Sequence, residues 1–242
     1  MIKIEHEVLA SPEQMMFIIE GMRNPMNSWK RSDSNLYPVV ERIGKVDGFE
    51  RQGFMMGRND HELMASLSAA GTDHRKFLRM MPVYIRITAP LYWWKEFDTY
   101  KVGTVSNSCS TMHKLTARDL TIEDFSTEYF DADGIALINR TIKFINKKRD
   151  EWGKEKDEVK RKQLWYQMIQ ALGTNFNQTR NCMLNYEVLA NIYKSRKNHK
   201  QQEWRDFCKW IERLLYAELI CDFETQDDTS KKSESQKENI QK

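Results

Sequence analysis

The chain has 242 residues with a formal net charge of +3, from 38 Lys and Arg against 35 Asp and Glu. It is 40% hydrophobic and 11% aromatic, enough for a sizeable core. The near balance of charge argues against a dedicated duplex-DNA binder, but leaves room for the few local cations that a small anionic ligand needs.

In chain order, "MIKIEHEVLA" alternates apolar and polar through Ile2, Ile4 and Val8 and predicts an edge strand with one buried face. The N-terminus lacks the apolar run of a signal peptide. In "SPEQMMFIIEGM", Ser11 caps, Pro12 takes the first helical position and Gln14 closes a capping box. Met15, Ile18, Ile19 and Met22 form its apolar stripe. Residues 23–58 are rich in Asn, Ser, Gly and Pro and read as loops with short strands. "NDHELMASLSAAG" reads as a helix capped by Asn59 and stopped near Gly71.

"PVYIRIT" (82–88) predicts a strand, with Val83, Ile85 and Ile87 on one face. Pro90 starts a helix carrying Trp93 and Trp94, a pair read as core or subunit interface rather than as a stacking platform. A helix near 132–149 places Ile135, Ile138, Ile142 and Ile145 on one side, and "KEKDEVKRKQ" (154–163) reads as a solvated helical face. Two helices, about 183–197 and 200–220, close a single domain over 1–222. The tail 223–242, with one isoleucine and no aromatics beyond Phe223, is expected to be disordered.

The four cysteines are dispersed, with no C-x-x-C pair and no histidine cluster, so no zinc site is expected and free thiols in a reducing cytoplasm are the simplest reading. No window approaches the length of apolar sequence that a transmembrane helix needs.

The most informative stretch is "LNYEVLANIYKSR" (184–196). At helical spacing Leu184, Val188, Leu189 and Ile192 form an inward stripe, and Asn185 and Arg196 fall on it, while Glu187, Asn191 and Lys194 fall towards other faces. Polar groups on an apolar face need partners. Two readings stand: an internal ion pair with a hydrogen-bonded amide, or a cleft in which both meet a polar ligand, arginine being suited to phosphate or a pyrimidine carbonyl edge. His199 falls near the same face if the helix continues.

Two blocks of the chain resemble the flavin-dependent thymidylate synthases, the ThyX family. "APLYWWKEFDTYKVGTVSNSCSTM" can be laid without a gap on the family signature R-H-R-x-x-S-x-N-E-x-S-x-R-Y. "LNYEVLANIYKSR" with the following "NHKQQEWRDFCKWI" can be laid on the block N-x-R-S-L-x-N-F-L-x-L-R, where Asn185, Leu189, Asn191 and Arg196 match. The first block departs from its pattern. Thr99, Tyr100 and Lys101 stand for Arg, His and Arg, Ser106 and Asn107 for Asn-Glu, Cys109 for the second Ser, and Thr111 for the last Arg. A one-residue slip matches Asn107 and Ser110 but restores no arginine.

The resemblance implies an α+β fold, a central and mainly antiparallel sheet flanked by helices, assembled as a homotetramer in the cytoplasm with flavin sites between subunits. It implies FAD as the hydride source, NADPH as reductant, and methylene transfer from methylenetetrahydrofolate to dUMP. On that basis Arg196, Ser106, Asn107, Ser110 and Arg79 are the candidate contacts to a pyrimidine nucleotide. Lys101, Asn185 and Asn191 are the candidate contacts to the flavin. Arg79, Arg180 and Arg196 are candidates to replace the missing arginines. No protein nucleophile is assigned and no metal is expected. Without the signature arginines, two functions remain: a divergent flavoenzyme, or a nucleotide-binding or interaction protein without turnover on the same scaffold.

Overall fold

The computed structural model describes residues 2–43 and 46–221. The tail expected to be disordered, 223–242, lies outside the described residues. The fold mixes helices with an antiparallel sheet, as the α+β expectation has it.

β1 (Lys3–Leu9) is followed by α1 (Pro12–Arg23). The capping box is present: the Ser11 hydroxyl accepts from the Gln14 N–H, and the Gln14 side chain accepts from the Ser11 N–H. Met15, Ile18, Ile19 and Met22 are all buried, as their spacing predicts.

Residues 23–58 correct the sequence reading. β2 (Asn35–Ile43) and β3 (Val46–Met55) form a long antiparallel hairpin in register Asn35↔Met55, with an irregularity between Val40 and Arg42. Its cross-strand pairing outweighs the turn-prone composition. α2 (Arg58–Ala69) begins at Gly57, so Asn59 lies inside the first turn and does not cap it. The cap comes from a distance: the Asp33 carboxylate accepts from the Asn59 and Asp60 N–H groups at 3.0 and 3.1 Å. Gly71 follows the helix end at φ +97°, near where the stop was expected.

β4 (Pro82–Pro90) buries Val83, Ile85 and Ile87, and Pro90 caps α3 (Leu91–Phe97). β5 (Val105–Ser108), α4 (Thr111–Ala117), α5 (Ala132–Lys154), α6 (Glu158–Gln170), β6 (Asn177–Asn185) and α7 (Tyr186–Arg196) follow. The expected helix over 200–220 is broken into α8 (Gln202–Ile211) and α9 (Glu218–Cys221). Between them Tyr216 sits at φ +62°, which no helix accommodates. The sheet order is β1-β4-β6-β5, which puts β1 at an edge.

The chain divides into two compact units. The first comprises 1–7, 85–101 and 105–182, and the second 8–84, 102–104 and 183 onwards. In the first, Ile138, Ile142, Ile145, Leu115, Met168 and Phe176 form one buried cluster. Trp93 and Trp94 are 0% and 1% exposed and pack edge to face at 4.9 Å, so the tryptophan pair is core. In the second unit the core draws on α1, α2, α7 and α8 through Ile19, Met64, Leu189, Ile192, Trp204 and Phe207.

Candidate functional site

The helix expected to carry Asn185 and Arg196 on one face begins one residue after Asn185. Asn185 has extended backbone (φ −138°, ψ 168°) and is the N-cap of α7. Its Oδ1 accepts from the Val188 N–H at 3.0 Å. Arg196 is the last residue of the same helix. At about 1.5 Å of rise per residue the two stand roughly 16 Å apart along the axis. They stand at the two ends of α7, three turns apart as the spacing has it, but Asn185 lies outside the helix as its cap, so the helical stripe does not extend to it.

Arg196 resolves much as the internal reading has it, with an aromatic ring and an imidazole among its partners. Its guanidinium lies 4.7 Å from the centre of the Trp204 ring, and Nη1 is 2.9 Å from His199 Nε2. Glu187, which by spacing falls off the inward stripe, is nevertheless buried. Arg75 holds it with two contacts, Nε to Oε2 at 2.8 Å and Nη2 to Oε1 at 3.1 Å, and Arg75 Nη2 also reaches Asn191 Oδ1 at 3.3 Å. Arg75 thus gives a buried carboxylate its charge partner, with one aligned hydrogen bond through Nη2 and a close but unaligned approach of Nε to Oε2. Arg79 is exposed on a 3-10 turn, Lys76–Met80.

Gly103 packs against Asn185 in the same unit. Gly103 has φ +79°, and a Cβ there would fall 2.6 Å from Asn185 Nδ2, so only glycine fits. The adjacent Thr104 Oγ1 is buried with no hydrogen-bond partner among the described residues. A buried hydroxyl in that state costs free energy unless something meets it.

The other predicted site residues belong to the first unit. Lys101 and Asn107 are exposed. Ser106 Oγ is 3.4 Å from Cys182 Sγ, and burial raises the Cys182 thiol pKa although the Ser106 contact opposes the rise. Cys182 is thus a protonated thiol at neutral pH. Ser110 is the N-cap of α4, its hydroxyl accepting from the His113 N–H at 3.4 Å. Arg180 binds Asp98 Oδ1 at 2.7 Å and Gln178 Oε1 at 2.9 Å, and lies 4.1 Å from the Trp94 ring centre. All four cysteines are free thiols, and no cluster of metal-ligating side chains occurs among the described residues. No helix among them is long and apolar enough to cross a membrane.

These observations define a class first: a mixed helix and strand scaffold with an antiparallel sheet flanked by helices. No family model and no curated protein matches the sequence. Solved structures do match the fold. A flavin-dependent thymidylate synthase ThyX from Helicobacter pylori, complexed with FAD and dUMP, superposes with TM-score 0.58 at 13% identity, over 91% of this chain and 98% of that one. A second structure of the enzyme from that organism with FAD and dUMP gives 0.59 at 14%, over 93% and 99%. A UMP/dUMP methylase, PolB from Streptomyces cacaoi bound with 5-Br dUMP, gives 0.50 at 9% identity, over 88% of each chain. At these identities the likeness is one of fold.

Proposed function

We propose that this chain binds FAD and a pyrimidine deoxynucleotide of the dUMP type on a ThyX-like scaffold, as a homo-oligomer. The observation that carries the reading is the polar cluster of Gly103, Thr104 and Asn185. It holds a buried hydroxyl without a partner and an amide whose Oδ1 is committed to the α7 cap. Both suit the carbonyl and imide groups of a flavin or a pyrimidine ring. The fold neighbours solved with FAD and dUMP support the choice of ligands.

A bound flavin supplies hydride chemistry, and the protein supplies binding, orientation and charge. Gly103 lets the backbone approach closely, while Thr104 and Asn185 offer hydrogen bonds that orient a ring. Lys101 offers a point charge without the fork of the arginine that the family signature has there. In the first unit, Ser106 and Asn107 are exposed on β5 and are candidate nucleotide contacts by the family resemblance alone. NADPH and methylenetetrahydrofolate complete the reaction if methylation is retained.

One observation favours the second reading, a nucleotide-binding or interaction protein without turnover. Arg180 and Arg196, two candidates to replace the missing arginines, are each engaged by an aromatic ring and a hydrogen-bond partner inside the protein. The visible spectrum of the purified protein, followed by FAD titration, tests the proposal. A yellow preparation that releases flavin on denaturation, or saturable FAD binding lost in Gly103→Ala, is expected. A colourless protein that takes up no FAD overturns the flavin reading. FAD and dUMP binding without consumption of NADPH selects the second one.

A further inference from the structure

The turn Trp29–Arg31 presents an aromatic ring and two cations in succession, between two cavities on the second unit. The larger, about 730 Å³, is lined by Arg23, Asn27, Ser28, Lys30, Arg31 and Asp33. Its charge is lopsided. Arg23 is 3% exposed and neutralised by Asp60, with Nε to Oδ1 at 2.5 Å. Asp33 is spent on the N–H groups that open α2. Lys30 and Arg31 are exposed and have no ion pair among the described residues. Two uncompensated cations therefore face a cleft whose carboxylates are already engaged, an arrangement that attracts an anion.

The neighbouring cavity, about 490 Å³, shares Arg23 and Ser32 and has a different character. Its walls include Trp29 and Phe17, which are 47% and 65% exposed, and the carboxylates Glu13 and Glu20. The indole is fixed by its Nε1–H, which donates to Asn24 Oδ1 at 2.8 Å. An aromatic wall beside carboxylates repels phosphate but accepts a neutral ring bearing amino groups. From this pairing we propose that the turn is a nucleoside diphosphate site. The diphosphate lies against Lys30 and Arg31, and an amino-bearing base stacks on Trp29. The site shares no residue with the cluster at Gly103 and does not rest on the flavin reading.

The test is calorimetric titration of the full chain with inorganic pyrophosphate and with ADP, at low and moderate salt. Pyrophosphate binding that weakens with salt is expected, with a loss of about tenfold or more in a Lys30→Ala, Arg31→Ala double variant. ADP should bind more tightly than pyrophosphate, and Trp29→Ala should remove that difference. These positions are exposed, so the variants should keep the wild-type circular dichroism. Absence of pyrophosphate binding, or equal affinity in the double variant, overturns the proposal. ADP binding no better than pyrophosphate overturns the assignment of a base. Displacement of ADP by FAD identifies the ADP half of a dinucleotide as the source of the ligand, and its absence identifies a free nucleotide. Both outcomes uphold the cleft, and the Gly103 cluster is judged separately by Gly103→Ala.

Discussion

Each unit of the molecule is organised around a buried aspartate, and the two are built differently. In the first, Asp124 is held by neighbours in sequence. Arg118 donates through both Nη atoms at 2.9 and 2.6 Å, Lys114 lies at 2.9 Å and the Thr121 N–H at 3.0 Å. In the second, Asp60 is 0% exposed and held from far away. Arg23 is 37 residues distant, and Ser32 and Ser34 are 28 and 26 residues distant, with hydroxyl contacts at 2.8 and 2.7 Å. Asp124 needs one local turn to form, whereas Asp60 needs α1, the strand hairpin approach and α2 together. The same chemistry is a local clamp in one unit and a tertiary keystone in the other.

The sharpest way to break that comparison is Asp60→Ala. It leaves Arg23 buried without its charge partner, and removal of one member of a buried pair costs about 3–5 kcal/mol. Urea unfolding should show a loss of that order, and a loss below about 1 kcal/mol would mean the clamp is not a keystone.

Acid titration comes next. For both aspartates burial acts to raise the pKa, and hydrogen bonds outweigh it: Ser34, Ser32 and Arg23 for Asp60, Arg118 and Lys114 for Asp124. Asp60 ends below its ordinary value, and Asp124 is lowered to about 2. A carboxylate with a depressed folded-state pKa stabilises fully above its unfolded value of about 3.9 and loses that contribution as pH falls through the folded value. Asp124 should therefore contribute on the order of 2 kcal/mol that disappears between about pH 4 and pH 2. Stability measured by urea at stepped pH checks the window, and Asp124→Asn should flatten it.

At neutral pH, Asp124→Ala should cost less than Asp60→Ala, about 1–2 kcal/mol. Its partners Lys114 and Arg118 are 31% and 51% exposed and can return to water. Equal losses in the two variants would erase the distinction between local and tertiary clamps. The smallest effect belongs to the His61–Glu218 contact, 2.8 Å long with side chains 38% and 44% exposed. Glu218→Gln should change stability by less than about 1 kcal/mol, because solvent screens such a pair.

The same contrast explains what was legible beforehand. The α1 capping box and the buried faces of β4 and α5 depend on residues a few positions apart, and spacing alone finds them; β1 lies at the edge as expected, but the buried face expected of it fails at Val8, which is 56% exposed. The α2 cap was misplaced onto Asn59 because the carboxylate that caps it, Asp33, comes from before the hairpin. Asn185 was read as helical because an N-cap sits one step from the stripe it introduces, and side-chain periodicity does not register backbone dihedrals. The burial of Glu187 was not legible because its partner Arg75 is 112 residues away. Lys101, Ser106 and Asn107 follow from the family resemblance, whereas the burial of the Thr104 hydroxyl without a partner, and the close approach of Gly103 to Asn185, emerge only from the folded chain.

By itself the sequence determined the mixture of helix and strand and most helix positions, since these follow from local propensity and the period of apolar residues. Tertiary structure alone decided which charges are satisfied internally and which stay exposed. Arg180 and Arg196 are drawn onto Trp94 and Trp204, while Lys30 and Arg31 have no ion pair among the described residues and line a cavity. The physical reason is that a buried charge is settled by whatever lies within a few ångströms in space, and separation along the chain carries no information about that distance.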